Sequence, residues 1–356
     1  SFKGALDSDV NAPNQSSVTA TISRGKTLPP LILNFTLDAT DDLLKLGSVT
    51  DGTETAVISG WRNKWVKTKT LPTPAAEYQG YYTLGLDIPV MLAGTATHPN
   101  IPQGLGFASF TVNGGTARLS VSGRTPDGTA ITSATFVGPT GQVLVFRTLY
   151  AANARGSVLG QFTITTAPSN LDNTLAGAVS WWRPATPSAT ARLYKDGFDP
   201  MDLTVAGSRY TPPISPGIVM NIPNVATGVP NANLSFVEAN VESASPAGNF
   251  VSVNVNFSHK VAVTSANERK TTLAINPRTG AISGRFSLSD AHPDLANGGK
   301  PATINRTVSY LGMIVRDNLG TQGVGYFLLP QLPATKDIPV GRTPILSGQV
   351  LFDRLP

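Results

Sequence analysis

The chain has 356 residues, of which 40% are apolar and only 14% charged, with 34 glycines, 28 prolines and no cysteine. The missing cysteine excludes a disulfide framework, a thiolate nucleophile and a cysteine-ligated metal. The formal charge of +5 comes from scattered lysines and arginines, with no basic stripe to track a nucleic-acid backbone, and no apolar run reaches the length of a membrane-spanning helix.

The first residues, SFKGALDSDV, carry neither an initiator methionine nor the apolar core of a signal peptide, and read as a processed or trimmed product. Strand-like runs then follow one another. VTATIS (18–23), LILNFTLD (31–38) and AVISGW (56–61) come first, and GYYTLGLDI (80–88) follows a proline-rich stretch. A close-set series continues with GFASFTV, ARLSVSG, AITSATFV, QVLVFRTLY, SVLGQFTI and TLAGAVSWW, ending at Trp182. The joints carry turn chemistry: Asn113-Gly114-Gly115, Asp127-Gly128, Asp51-Gly52 and Arg278-Thr279-Gly280 are hairpin signals, because glycine supplies the positive φ that tight turns need. No stretch shows a sustained 3.6-residue apolar period.

Between Tyr210 and Asn233 five prolines and little periodicity read as an extended connector. Strands resume with NLSFVEA, NFVSVNVNFS, KTTLAINP, AISGRFSLS, TINRTVSYLGMIVR, VGYFLLP and ILSGQVLF. The fold expected is all-β: two antiparallel barrel-like or sandwich-like domains, residues 1–212 (80–212 the most regular series) and 233–356, joined by a linker at 213–232.

Two short motifs recur across that boundary. QGLGF (Gln103, Gly104, Leu105, Gly106, Phe107) reappears as QGVGY (Gln322, Gly323, Val324, Gly325, Tyr326), and GSVLGQF (156–162) reappears as GAISGRF (280–286), in swapped order. A strand glycine permits a bulge, a bend or close backbone approach, and a neighbouring aromatic covers the backbone left bare. The paired QGxG-aromatic runs are therefore expected at equivalent β-corners. Neither has the third glycine and following helix of a phosphate cradle.

Catalytic patterns are absent from the sequence: there is no GxSxG elbow, P-loop or HExxH. His98 and His292 precede prolines and His259 ends a strand. Glu238 and Glu242 are four apart on strand-like sequence, a carboxylate pair of the kind a glycosidase uses, although such pairs normally come from different strands. Asp196, Asp199 and Asp202 are the best candidates for a cation, though outside any EF-hand spacing. Trp65, Tyr81, Tyr82, Trp181 and Trp182 are the candidates for a sugar-stacking platform; adjacent Trp181 and Trp182 point to opposite faces if they lie on a strand.

Taken together, GYYTLGLDIP, PQGLGFASFTVNGGTARLSVSGRTPDGTAITSATFV, LYAANARGSVLGQFTI, LAGAVSWWRPA, AISGRFSL and YLGMIVRDNLGTQGVGYFLLP resemble the β-rich C-terminal region of large secreted or surface proteins of Verrucomicrobia and Planctomycetes, from about Gly80 onward. The resemblance implies an exported, modular protein without known catalysis, and supplies no catalytic residue or cofactor. The expected function is a non-catalytic structural or adhesion module of the cell surface, extracellular, with other subunits of a surface assembly or itself as partner. A glycan-binding module is the alternative, followed by a viral coat or tail protein and, last, a hydrolase with dispersed carboxylates. Free strand edges are the means by which such a module would join a neighbour.

Overall fold

In the computed structural model, residues 7–9, 12–150, 155–186, 188–241, 249–297, 300–317, 320–335 and 337–356 are described. The chain is all-β, with two eight-stranded antiparallel sheets, each nearly closed into a barrel. A five-stranded sheet precedes them: β1 (Asp7–Asp9), β2 (Ala12–Ile22), β3 (Leu31–Asp38), β4 (Leu44–Thr50) and β5 (Thr55–Ile58), paired in chain order. The first 212 residues thus hold two sheets.

The first barrel is built from β6 (Gly80–Asp87), β7 (Gly106–Val112), β8 (Arg118–Arg124), β9 (Ala130–Phe136), β10 (Gln142–Leu149), β11 (Gly156–Thr165), β12 (Thr174–Arg183) and β13 (Phe198–Arg209). The second uses β14 (Ala232–Val237), β15 (Phe250–Val255), β16 (Val261–Val263), β17 (Thr272–Ile275), β18 (Ala281–Asn297), β19 (Lys300–Asp317), β20 (Gly320–Pro330) and β21 (Ile345–Arg354). Both are up-and-down meanders whose last strand pairs with the first, β13 with β6 and β21 with β14. The ladder is interrupted at one seam in each, β9/β10 and β16/β17. At the first seam the Phe146 N–H donates to Ser133 Oγ at 3.2 Å.

Period-two alternation explains the strands. Along β8, Leu119 and Val121 point inward while Arg118, Ser120 and Ser122 face water, and the Asn113-Gly114-Gly115 and Asp127-Gly128 turns bracket that strand as expected. Eight strands leave an interior just wide enough for side chains to fill. Tyr82, Leu84, Phe110, Val145, Phe162, Trp181 and Leu203 fill the first; Leu234, Phe236, Phe286, Tyr310, Phe327 and Phe352 fill the second. Each such aliphatic or Phe side chain contributes about 1.5–3 kcal/mol on burial. Only about 10 Å³ of space is left among Leu84, Val145, Phe162 and Val205, so this barrel is a packed core and not a carrier's cavity.

β13 falls where the sequence offers no strand-like run, between Trp182 and Tyr210, yet Met201, Leu203 and Val205 point inward at period two and close the barrel. Residues 213–232 are not an extended connector either. Ile218, Val219, Met220 and Ile222 bury themselves in the core of the second barrel, and Asn231 and Asn254 tie the segment down by donating to Pro223 O, Ala226 O and Val229 O. The segment thus plugs one end of that core with its buried apolar residues. The segment ahead of the first barrel acts likewise, with Trp65, Ala75 and Tyr78 in that barrel's core.

Candidate functional site

The two QGxG-aromatic runs do not occupy equivalent corners; they meet each other. Gly104 and Gly106 lead into β7, the second strand of its barrel, and Gly323 and Gly325 lie along β20, the seventh of the other. The Leu105 N–H donates to Gly325 O (3.1 Å), the Gln103 N–H to Ser347 O (3.3 Å), and the Gly104 N–H to Ser347 Oγ (3.1 Å). The Phe107 and Tyr326 rings stack with centroids 6.2 Å apart. Met313, Val315 and Val324 complete a buried apolar cluster between the barrels.

Close approach explains these glycines, since none of the four has the left-handed φ of a turn. A Cβ on Gly104 would lie 2.6 Å from Pro126 O and 2.7 Å from Tyr326 Cβ, and one on Gly325 would lie 2.1 Å from Leu311 O. A side chain at either place would force the strands or the barrels apart.

A polar network borders this seam. The buried Asp127 carboxylate accepts from Thr125 Oγ1 (2.5 Å), the Thr129 N–H (3.0 Å), the Tyr150 hydroxyl (3.0 Å) and Arg183 Nη1 (2.6 Å). Arg183 also donates to Leu193 O and lies over the Tyr150 ring, while Trp181 Nε1 donates to the Tyr150 oxygen. Ser347 Oγ reaches Pro126 O, and the Ser347 N–H donates to the Tyr194 hydroxyl, carrying the network into the second barrel. Burial, and then the Asp127 charge, push the Tyr150 hydroxyl far above its usual range, so it stays a donor. A carboxylate holding four donors, one a guanidinium, anchors structure and is badly placed to move a proton.

The expected sugar platform is not assembled. Trp65 is buried, with Nε1 donating to Val137 O at 2.6 Å and its ring edge-on to Tyr78. Tyr82 stacks on Phe110 in the core and accepts from Asn173 Nδ2. Trp181 is fully enclosed. Tyr81 turns toward the second barrel and donates to Thr279 O at 3.1 Å. Period two sends Trp181 inward and Trp182 out, and Trp182 alone of the five remains exposed, at 39%. The neighbouring strand β11 and the next one, β10, carry three more exposed apolar side chains, Leu159 on β11 and Leu144 and Phe146 on β10; the two on β10 are hard to tell from core residues in the sequence because both faces of QVLVF are apolar.

Asp196, Asp199 and Asp202 are each exposed and are not gathered: among the described residues no three acidic or histidine side chains are grouped for a metal. Glu238 spends its carboxylate on the Thr95 N–H at 2.6 Å, another contact between the barrels; Glu242 and the side chain of His292 lie outside the described residues. His259 Nε2 accepts from the Val219 N–H at 3.3 Å, and burial holds its pKa below the usual histidine value. An open cleft of about 520 Å³ separates the barrels beneath residues 210–221, bordered by the Arg316–Asp172 ion pair and by Arg209, which donates to Asn170. No helix is long and apolar enough to cross a membrane among the described residues.

No known family's sequence profile matches the chain, and no curated protein and no solved structure is significantly similar to it.

Proposed function

We propose that the chain is a non-catalytic structural or adhesion module of the cell surface, and a subunit of a surface assembly. The observation that carries this reading is the junction of the barrels: two packed cores fastened by a buried apolar cluster, backbone hydrogen bonds and the Asp127–Arg183 network. Conserving relative orientation at that cost in buried polar groups suits a rigid spacer. The Thr, Ser and Asn-rich composition and the resemblance to secreted proteins support an exported location.

Exposed Trp182 favours a second reading, glycan binding, because sugar faces stack on such an indole. Both are tested by presenting the purified chain and its Trp182→Ala variant to a glycan array and to a panel of glycoside and ester substrates. The structural reading expects neither retention nor turnover. Retention lost in the variant at an unchanged melting temperature would replace it with the glycan reading, and turnover would overturn both.

A further inference from the structure

The cleft between the barrels measures about 520 Å³ and lies where two domains meet, the size and the place of many small-molecule sites. Its floor is the outer face of β6 and β13, where Thr83 stands directly opposite Ser208. Tyr82 and Leu84 point into the barrel, so Thr83 between them points out, into the cleft. Both hydroxyl residues are buried, at 1% and 2% exposure. Ser208 Oγ reaches only the neighbouring Arg209 carbonyl, at 3.4 Å, and Thr83 Oγ1 makes no hydrogen bond to any described residue. A buried hydroxyl left without a partner is costly, and packing alone does not call for one there.

Two arginines and one aspartate line the same cleft, so its walls carry one positive charge in excess. Arg316 is matched: both its Nη atoms donate to Asp172 Oδ1, at 3.2 and 3.3 Å. Arg209 is not. Its Nη1 donates to Asn170, a neutral partner, while Nε and Nη2 make no hydrogen bond and no carboxylate pairs with it among the described residues. A guanidinium edge of this kind presents two parallel donors, the spacing that a carboxylate accepts. The mouth is apolar, with Leu171 48% exposed and Ile214 86% exposed, and Met220 and Ile314 continue the wall inward.

We infer that this cleft binds a small monocarboxylate with an apolar body. The carboxylate accepts from the open edge of Arg209 and from the Thr83 hydroxyl, with Ser208 beside it, and the apolar part lies between Leu171 and Ile214. One guanidinium without a counter-charge calls for one negative charge, and exposed apolar lips favour an amphipathic anion over a fully hydrated one. The inference goes beyond the structural reading above and does not depend on it, because holding such a ligand requires no turnover.

Calorimetric titration of the full chain with 2-naphthoate, and with the uncharged 2-naphthamide of the same shape, reads the site. Naphthoate is expected to saturate a single site with a dissociation constant below about 1 mM, and the amide to bind about tenfold or more weakly. Arg209→Gln should weaken naphthoate by a like factor. Because that change also loses a contact with Asn170, Thr83→Val supplies a second variant. It keeps the shape and gives up no hydrogen bond, so the unfolding midpoint should hold or rise slightly while naphthoate binds severalfold more weakly. No saturation up to about 10 mM, equal affinity for the amide, or undiminished binding in either variant would overturn the inference. Glycan retention or turnover in the panels above bears on the structural reading alone.

Discussion

The two barrels share eight strands, a meander order, first-to-last closure and a plug supplied by the preceding segment, yet they fill the same architecture differently. At the inward position after the motif strand the first barrel has Trp181 facing Met201, and the second has Gly312 facing Gly325. The second recovers the volume with a cluster of Phe236, Phe286, Tyr310 and Phe327. Topology therefore tolerates moving aromatic volume from strand to strand, provided the interior stays filled at crystal-like density. The plugs differ as well. The first is aromatic and held by an indole donor, and the second is aliphatic and held in part by a histidine acceptor.

The sharpest way to break the comparison is to empty the first barrel where the second has no side chain. Trp181→Ala removes a fully buried indole and the donor that the Tyr150 oxygen accepts from, leaving that hydroxyl bonded to Asp127 alone, and should destabilise by about 3–5 kcal/mol in denaturant titrations. If the barrel instead tolerates alanine there as the other tolerates Gly312, at a cost below about 1 kcal/mol, the interior is not the close-packed core described.

Gly325→Val tests the opposite face of the contrast. Its Cβ has no room against Leu311 O, so the variant should lose about 1–3 kcal/mol or more, with the barrel junction loosened. Gly341→Ala, with nothing within 4 Å of its added Cβ, serves as the silent control. Equal midpoints for both variants would show that close approach is not what the glycine provides.

Much of this was legible in the residues. Period two and the turn pairs Asp51-Gly52, Asn113-Gly114, Asp127-Gly128 and Thr279-Gly280 place hairpins where the structure has them, and Gly52, Gly128 and Gly280 carry the positive φ that such turns need. What stayed hidden depends on contacts distant in sequence. Nothing local to QGLGF announces that Leu105 bonds Gly325, 220 positions on, because a glycine required by a neighbour's backbone looks the same as one required by a bend. Trp65 and Tyr82 looked like candidates for a sugar platform because indole and phenol suit both a ligand and a core; only burial separates the uses. Proline density at 212–230 was read as extension, whereas Ile218 to Ile222 supply the apolar surface that turns it into a plug.

The plugs also differ in what acid should do to them. His259 has a folded pKa below its ordinary value near 6.5, because burial disfavours the imidazolium and the Val219 N–H needs a neutral acceptor. The unfolded chain thus takes up the proton first. Stability should be full above about pH 7, fall as the pH drops through the mid-6 range, and level off below the folded pKa. His259→Gln should flatten that slope in melts taken from about pH 7.5 to 5, while the Trp65 plug, which has no titrating partner in its hydrogen bond, contributes none. A slope unchanged in the variant would assign the titration elsewhere.

The smallest expected effect has the opposite sign and belongs to the junction. Burial raises the Asp87 carboxyl above its ordinary value near 3.8, and the Asp317 charge from the other barrel raises it further. Here the folded state holds the proton more tightly than the unfolded one, so ionisation at neutral pH works against folding. Stability should rise as the pH falls through the folded pKa toward the ordinary carboxylate value. Asp87→Asn should reproduce that gain at pH 7 and abolish its pH dependence, raising the melting temperature slightly without altering the acid limb set by His259. Because β6 bears Asp87 and β19 bears Asp317, a gain of this kind reports on the contact between the barrels and not on either core. A loss of stability at pH 7 in Asp87→Asn would mean that the charge itself holds the junction together.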